Sequence, residues 1–176
     1  MNSSIALLAV LFLFSGSQAA ANEVVRRICS RTSNYDVCEK TLYSDSRMAD
    51  ADQFTVAYIT VWMTFTKANE TRNRIVSYLG DQQLALEDVR VLERCSDLYG
   101  TAVSALGTAC NDLNAESFFE LADLAVVASR AADDCEAAPL ENAQARLPPD
   151  VMAGNYDLKA LCQICTVIGK MYSGEP

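Results

Sequence analysis

A chain of 176 residues with 14 basic and 23 acidic side chains, seven cysteines and no histidine excludes several functions before any motif is considered. The surplus of negative charge makes nucleic acid and anionic membrane surfaces poor partners. Without histidine the chain lacks the commonest general base, the usual partner in a catalytic triad and most transition-metal sites, so no catalytic residues, no metal and no cofactor are expected.

Ile5 to Phe14 form an unbroken run of ten apolar residues, followed by the small residues of Ser15 to Ala21 and a first charge at Glu23. That run falls short of the roughly 20 residues a helix needs to cross a bilayer. With small residues directly behind it, it has the layout of a secretory signal peptide over 1–21, cleaved after Ala19 or Ala21. The remaining 155 or so residues suit one secreted domain.

Beyond the leader, apolar residues recur at steps of three and four, and no stretch alternates by two, so helices are expected throughout. Residues 22–48 predict a small helical hairpin, with Val24, Val25, Ile28, Tyr35 and Leu42 available for packing. Four longer helices follow within 49–176. The first runs over 50–79, with Phe54, Tyr58, Val61, Phe65, Ala68, Arg72, Ile75 and Leu79 on its inward stripe and Gly80 as its stop. Trp62 is counted among the residues that fill the core.

The second runs over 86–109, with Val91, Cys95, Leu98, Ala102 and Leu106 on one face, and Asn111-Asp112-Leu113-Asn114 is expected to break it. The third, over 115–135, places Leu121, Leu124, Ala128, Ala131 and Cys135 inward. Pro139 closes it, and Pro149 suits the first position of a fourth helix that runs to about residue 171. Asp52 and Asn114 are assigned as helix caps. Short connections and stripes near a 3.5-residue period predict an all-α, up-down-up-down four-helix bundle.

Cysteines stand at 29, 38, 95, 110, 135, 162 and 165, an odd number that leaves at least one thiol unpaired. Antiparallel helices bring together residues whose numbers sum to a constant. Positions 95 and 135 have their midpoint at 115, inside the turn between the second and third helices, so Cys95 and Cys135 face each other at one height, as a disulfide requires. The same register puts Cys162 about nine residues, or roughly 13 Å, from the level of Cys135. Cys110, Cys162 and Cys165 are therefore expected to be buried thiols.

The order Cys29-x2-Thr32-x2-Tyr35-x2-Cys38, followed by Leu42-x2-Asp45-Ser46-Arg47-x2-Asp50-Ala51-Asp52, resembles the start of the plant invertase and pectin methylesterase inhibitor family. Cys95-Ser96-Asp97-Leu98-Tyr99 is similar to that family's second bundle helix, and Ala131-Ala132-Asp133-Asp134-Cys135 to the end of its third. The resemblance implies a four-helix bundle with an N-terminal hairpin, stapled by Cys29–Cys38 and Cys95–Cys135. It also implies a binding protein rather than an enzyme, monomeric when free, that covers the active-site cleft of a cell-wall carbohydrate enzyme.

Invertase inhibitors of the family carry a Pro-Lys-Phe tripeptide ahead of the third bundle helix. Here that region reads Asn114-Ala115-Glu116-Ser117-Phe118-Phe119, which turns the expected target from acid invertase, the alternative, to pectin methylesterase. Phe118 and Phe119 are candidate anchors for the partner, with packing between helices as the competing role. Asp133-Asp134 and Glu116 with Glu120 are taken as solvated charges rather than acid and base pairs. A carrier holding an apolar ligand inside the bundle, or a non-inhibitory secreted protein, are the readings from other classes. Asn69-Glu70-Thr71 is a glycan acceptor triplet, which makes Asn69 a candidate modification site.

Overall fold

The computed structural model describes residues 23–141 and 145–173, and all regular structure within them is helical. The signal peptide assigned to 1–21 lies outside the described residues. Helix α1 spans residues 23–29, and α2 is Tyr35–Leu42, entered through Asn34, whose side chain accepts from the Val37 amide at 3.1 Å. Cys29 and Cys38 are disulfide-bonded across the turn between them, with Cα atoms 5.5 Å apart. A 3-10 turn over Ser46–Asp50 then leads into the bundle.

The bundle helices are α3 (Gln53–Leu79), α4 (Leu86–Asn114), α5 (Leu121–Ala137) and α6 (Pro149–Tyr172). The Asp52 side chain accepts from the Thr55 amide at 2.8 Å and so satisfies one of the free amides that open α3. Gly80 ends that helix, and Pro149 occupies the first turn of α6, where its missing N–H costs nothing. Each helix packs on its neighbours in chain order and α6 closes the ring against α3, which leaves α4 and α6 diagonal. The hairpin leans on α6 through α2.

Two boundaries depart from expectation at one place. The stretch Asn111-Asp112-Leu113-Asn114 does not break the second helix, because Leu113 is fully buried and extends the apolar line of Leu106 and Ala109 by one more turn. Burial of that leucine outweighs the few tenths of a kcal/mol per residue that Asn and Asp cost in a helix. The third helix starts at Leu121, not Ala115. Between them Glu116 takes a left-handed conformation, φ 57°, and the Glu116 and Ser117 amides donate to the Leu113 and Asp112 carbonyls at 3.0 and 2.9 Å. Asn114 is accordingly the last residue of α4 and caps no following helix, which corrects its assignment.

The inward face of α3 departs in part from the predicted stripe: Val61, Ala68 and Ile75 are buried as expected, but Phe54, Tyr58, Phe65, Arg72 and Leu79 are not. Val56, Thr60, Thr64, Ala68, Thr71 and Ile75 are buried, whereas Tyr58 and Trp62 are 37% and 48% exposed. The three threonines are accommodated because each hydroxyl donates to a carbonyl one turn back, at 2.6, 2.7 and 3.0 Å. Small side chains win this face because α6 comes very close: a Cβ on Gly154 would lie 2.5 Å from Thr71 Oγ1. An aromatic ring has no room there.

A second staple joins α4 to α5, with Cys95 and Cys135 bonded and their Cα atoms 4.8 Å apart. Beside it the buried Asn155 accepts from the Tyr99 hydroxyl at 2.7 Å and lies 3.8 Å from Cys135 Sγ. This polar pair and the three threonines of α3 are the polar groups of the core among the described residues. No helix among the described residues is long and apolar enough to cross a membrane.

Candidate functional site: a partner-binding surface

The residues nominated from sequence are placed in different surroundings. Phe118 turns inward, its ring 5.9 Å from that of Phe54 and 5.5 Å from that of Tyr172, so it ties the α4–α5 connection to α3 and to the end of α6. Phe119 points outward and is 69% exposed. Beside this connection a shallow cleft of about 290 Å³ is lined by Phe54, Tyr58, Asn114 and Glu116.

Above that cleft the outer face of α3 carries a stripe that includes Tyr58, Trp62, Phe65 and Arg72, all expected inward from the sequence. Tyr58, Trp62, Phe65, Arg72 and Val76 follow one another at helical spacing, exposed or half-buried. Trp62 lies over Phe65 with ring centroids 5.6 Å apart and 29° between planes. Gly107 of α4 leaves room for the Phe65 ring, and Gly100 leaves room for the Arg72 guanidinium, whose Nε is buried without a hydrogen-bond partner. A buried cation edge with no acceptor is costly. The composition of the stripe, Trp, Tyr and Arg, is that of binding hot spots.

A signal for this stripe existed in the sequence. Two helical lines run side by side on α3, one carrying large aromatics and one carrying small and β-branched residues. Close helix approach decides for the small line.

Asn69 lies inside α3 and is half-buried, while Thr71, the hydroxyl residue of its acceptor triplet, is buried against Gly154. Asp133, Asp134, Glu116 and Glu120 are exposed, and Lys159 reaches both Asp133, at 3.2 Å, and Glu136.

The three thiols fall into two settings. Cys110 is half-buried, while Cys162 and Cys165 are in the core. Burial pushes the Cys165 thiol up to about 12, opposed by its contact with the Thr64 hydroxyl at 3.2 Å. Burial likewise raises Cys162 well above the usual thiol range, and Cys110 is raised by the same cause. Such groups stay protonated near neutral pH, which makes them poor nucleophiles.

A family model described as plant invertase/pectin methylesterase inhibitor matches residues 23–168. A pectinesterase inhibitor of Actinidia deliciosa is 27% identical over 173 residues, covering 96% of this chain and 92% of its own. The cell wall / vacuolar inhibitor of fructosidase 2 of Arabidopsis thaliana is 30% identical over 137 residues, covering 73% of this chain and 74% of its own. The fold is shared with the crystal structure of a mutant form of a pectin methylesterase inhibitor from Arabidopsis, at a TM-score of 0.72 and 24% identity over 82% of this chain and 93% of that one. The chain belongs to the plant invertase/pectin methylesterase inhibitor family.

Proposed function

We propose that this protein inhibits a cell-wall carbohydrate enzyme, pectin methylesterase, by laying a rigid helical surface over the active-site cleft and excluding substrate without chemistry of its own. The observation that carries the proposal is the likeness to a pectinesterase inhibitor along almost the whole of both chains. Fructosidase inhibition is the weaker alternative, because the α4–α5 connection reads Asn114-Ala115-Glu116-Ser117-Phe118-Phe119 and holds no Pro-Lys-Phe tripeptide.

An interface of ordinary size buries roughly 1,600 Å² in total, which one face of a bundle this long can supply. We assign its anchors to Phe119, Tyr58 and Trp62, with Arg72 receiving a carboxylate or carbonyl of the enzyme. The two disulfides hold the helices and the hairpin in place before docking, so little conformational entropy is lost on binding. The chain's acidic surplus steers it toward a basic enzyme, and complex formation should slow as salt rises. Catalysis by the chain itself is not proposed, since its free thiols are protonated and no histidine is present to activate them. Secretion to the cell wall, with the vacuole as alternative, and a glycan on Asn69 belong to the same proposal. Because Thr71 is buried, that glycan has to be attached before α3 packs on α6.

The test is to mix the mature protein with a pectin methylesterase and, separately, with an acid invertase, following activity and co-elution on a sizing column. Loss of esterase activity with a co-eluting complex is expected, with invertase untouched. Trp62→Ala combined with Phe119→Ala should weaken the complex by about 2 kcal/mol or more, roughly thirtyfold. An active esterase at saturating inhibitor concentration would sink the proposal.

A further inference from the structure

The turn between α1 and α2 encloses, with the outer faces of α5 and α6, a groove of about 900 Å³. Its sign of charge is opposite to that of the molecule. Arg31, Arg130, Lys159 and Lys170 line it, and Asp133 is the one carboxylate among its lining residues, in a chain with 14 basic and 23 acidic side chains. Lys159 is committed to Asp133 and Glu136. Arg31, Arg130 and Lys170 are exposed, and none has an ion pair among the described residues.

We propose that this groove binds an acidic polysaccharide, a run of uronate residues whose carboxylates pair with Arg31, Arg130 and Lys170. The groove has the form for a chain rather than a compact anion. Tyr156 and Lys170 lie fourteen residues apart on α6, about 21 Å at 1.5 Å per residue. Tyr156, 61% exposed, offers an aromatic face on which the C–H face of a sugar ring can stack. Ser129 and Thr166 supply hydroxyls for sugar oxygens.

The wall is built to stay in place. The Ser33 amide and hydroxyl both donate to Gln163 Oε1, at 3.3 and 2.8 Å, and the Cys29–Cys38 disulfide closes the turn behind them. These contacts fix Arg31 opposite α5 and α6 without any ligand. Since the molecule as a whole repels polyanions, the attraction has to be local and therefore sensitive to salt.

The choice of uronate rests on the proposed esterase target, because hydrolysis of a methyl ester on that polymer leaves a carboxylate on the sugar. A site for the de-esterified chain would hold the inhibitor where the enzyme has been working. It lies across the bundle from the aromatic stripe of α3, so ligand and enzyme can be held together.

Calorimetric titration of the protein alone, with a galacturonate oligomer and with its fully methyl-esterified form, tests the inference without any enzyme. The acidic oligomer should bind with an affinity that falls as salt rises, and the ester should not bind. Arg31→Glu with Arg130→Glu should weaken binding by about tenfold or more, as should Lys170→Glu alone to a smaller degree, with helical circular dichroism and esterase inhibition unchanged. No binding up to about 1 mM, equal binding of acid and ester, or full binding by the charge-reversed variants overturns it. Equally tight binding of an acidic peptide overturns it in favour of a protein partner. Inhibition lost with oligomer binding intact would count against the enzyme target alone, and the reverse result against this groove alone.

Discussion

Tyr99 and Asn155 show how a polar pair is tolerated in the core. The hydroxyl has one acceptor, Asn155 Oδ1, and burial raises its pKa, so it remains a donor across the physiological range. Tyr99→Phe removes that donor and leaves the amide oxygen unsatisfied, at a cost of about 1–3 kcal/mol, measurable by urea denaturation. The buried thiols make a separate prediction. Cys162 and Cys165 should resist a thiol reagent at pH 8 until the protein is unfolded, with Cys110 reacting earlier. Burial raises both folded pKa values, that of Cys165 to about 12, so the stability they contribute is fully present below the unfolded value of 9.0 and is lost as pH climbs above it. Denaturation midpoints should therefore fall on the alkaline side, and Cys165→Ala should flatten part of that slope.

Helix α6 sets the geometry of the bundle through its two tightest contacts. A Cβ on Gly169 would meet the Ala122 backbone nitrogen at 2.6 Å, and one on Gly154 would meet the Thr71 side chain at 2.5 Å. Alanine gains about 1 kcal/mol over glycine inside a helix, whereas forcing packed helices apart costs about 1–3 kcal/mol, so both substitutions should destabilise. Gly169→Ala should be the worse, because backbone cannot rotate away. Adding Thr71→Ala to Gly154→Ala should restore most of the loss, and a double-mutant cycle on thermal midpoints measures that coupling. At the other end of α3, Asp52→Ala removes the cap on the Thr55 amide and should cost about 1 kcal/mol.

The two staples stabilise by amounts that rise slowly with the loops they close. With a sequence separation of 40, Cys95–Cys135 should contribute about 4 kcal/mol and Cys29–Cys38, with a separation of 9, about 3 kcal/mol in the chain-entropy picture. Cys95→Ala with Cys135→Ala should therefore lower global stability, by about that amount in chemical denaturation. Losing the hairpin staple should loosen the turn that carries Arg31 while the bundle persists, since α2 packs on α6 and the bundle helices pack mainly on one another. Amide exchange would separate the two effects.

Much of this was legible in the residues taken in order. Helical periodicity gave four long helices, and the midpoint of 95 and 135, close to the connection between the second and third, picked out the bond across it, because antiparallel register depends only on residue numbers. The absence of histidine removed most routes to catalysis. What sequence could not settle was which of two neighbouring lines on α3 faces inward, where α4 stops, and which of two adjacent phenylalanines is exposed. Each depends on how closely another helix approaches: Gly154 of α6 admits only small residues on α3, a pocket for Leu113 extends α4, and Phe54 with Tyr172 claims Phe118 and leaves Phe119 outside. Periodicity records that a side chain lies on some face, but the distance to the facing backbone is a property of two helices at once and exists only after they pack.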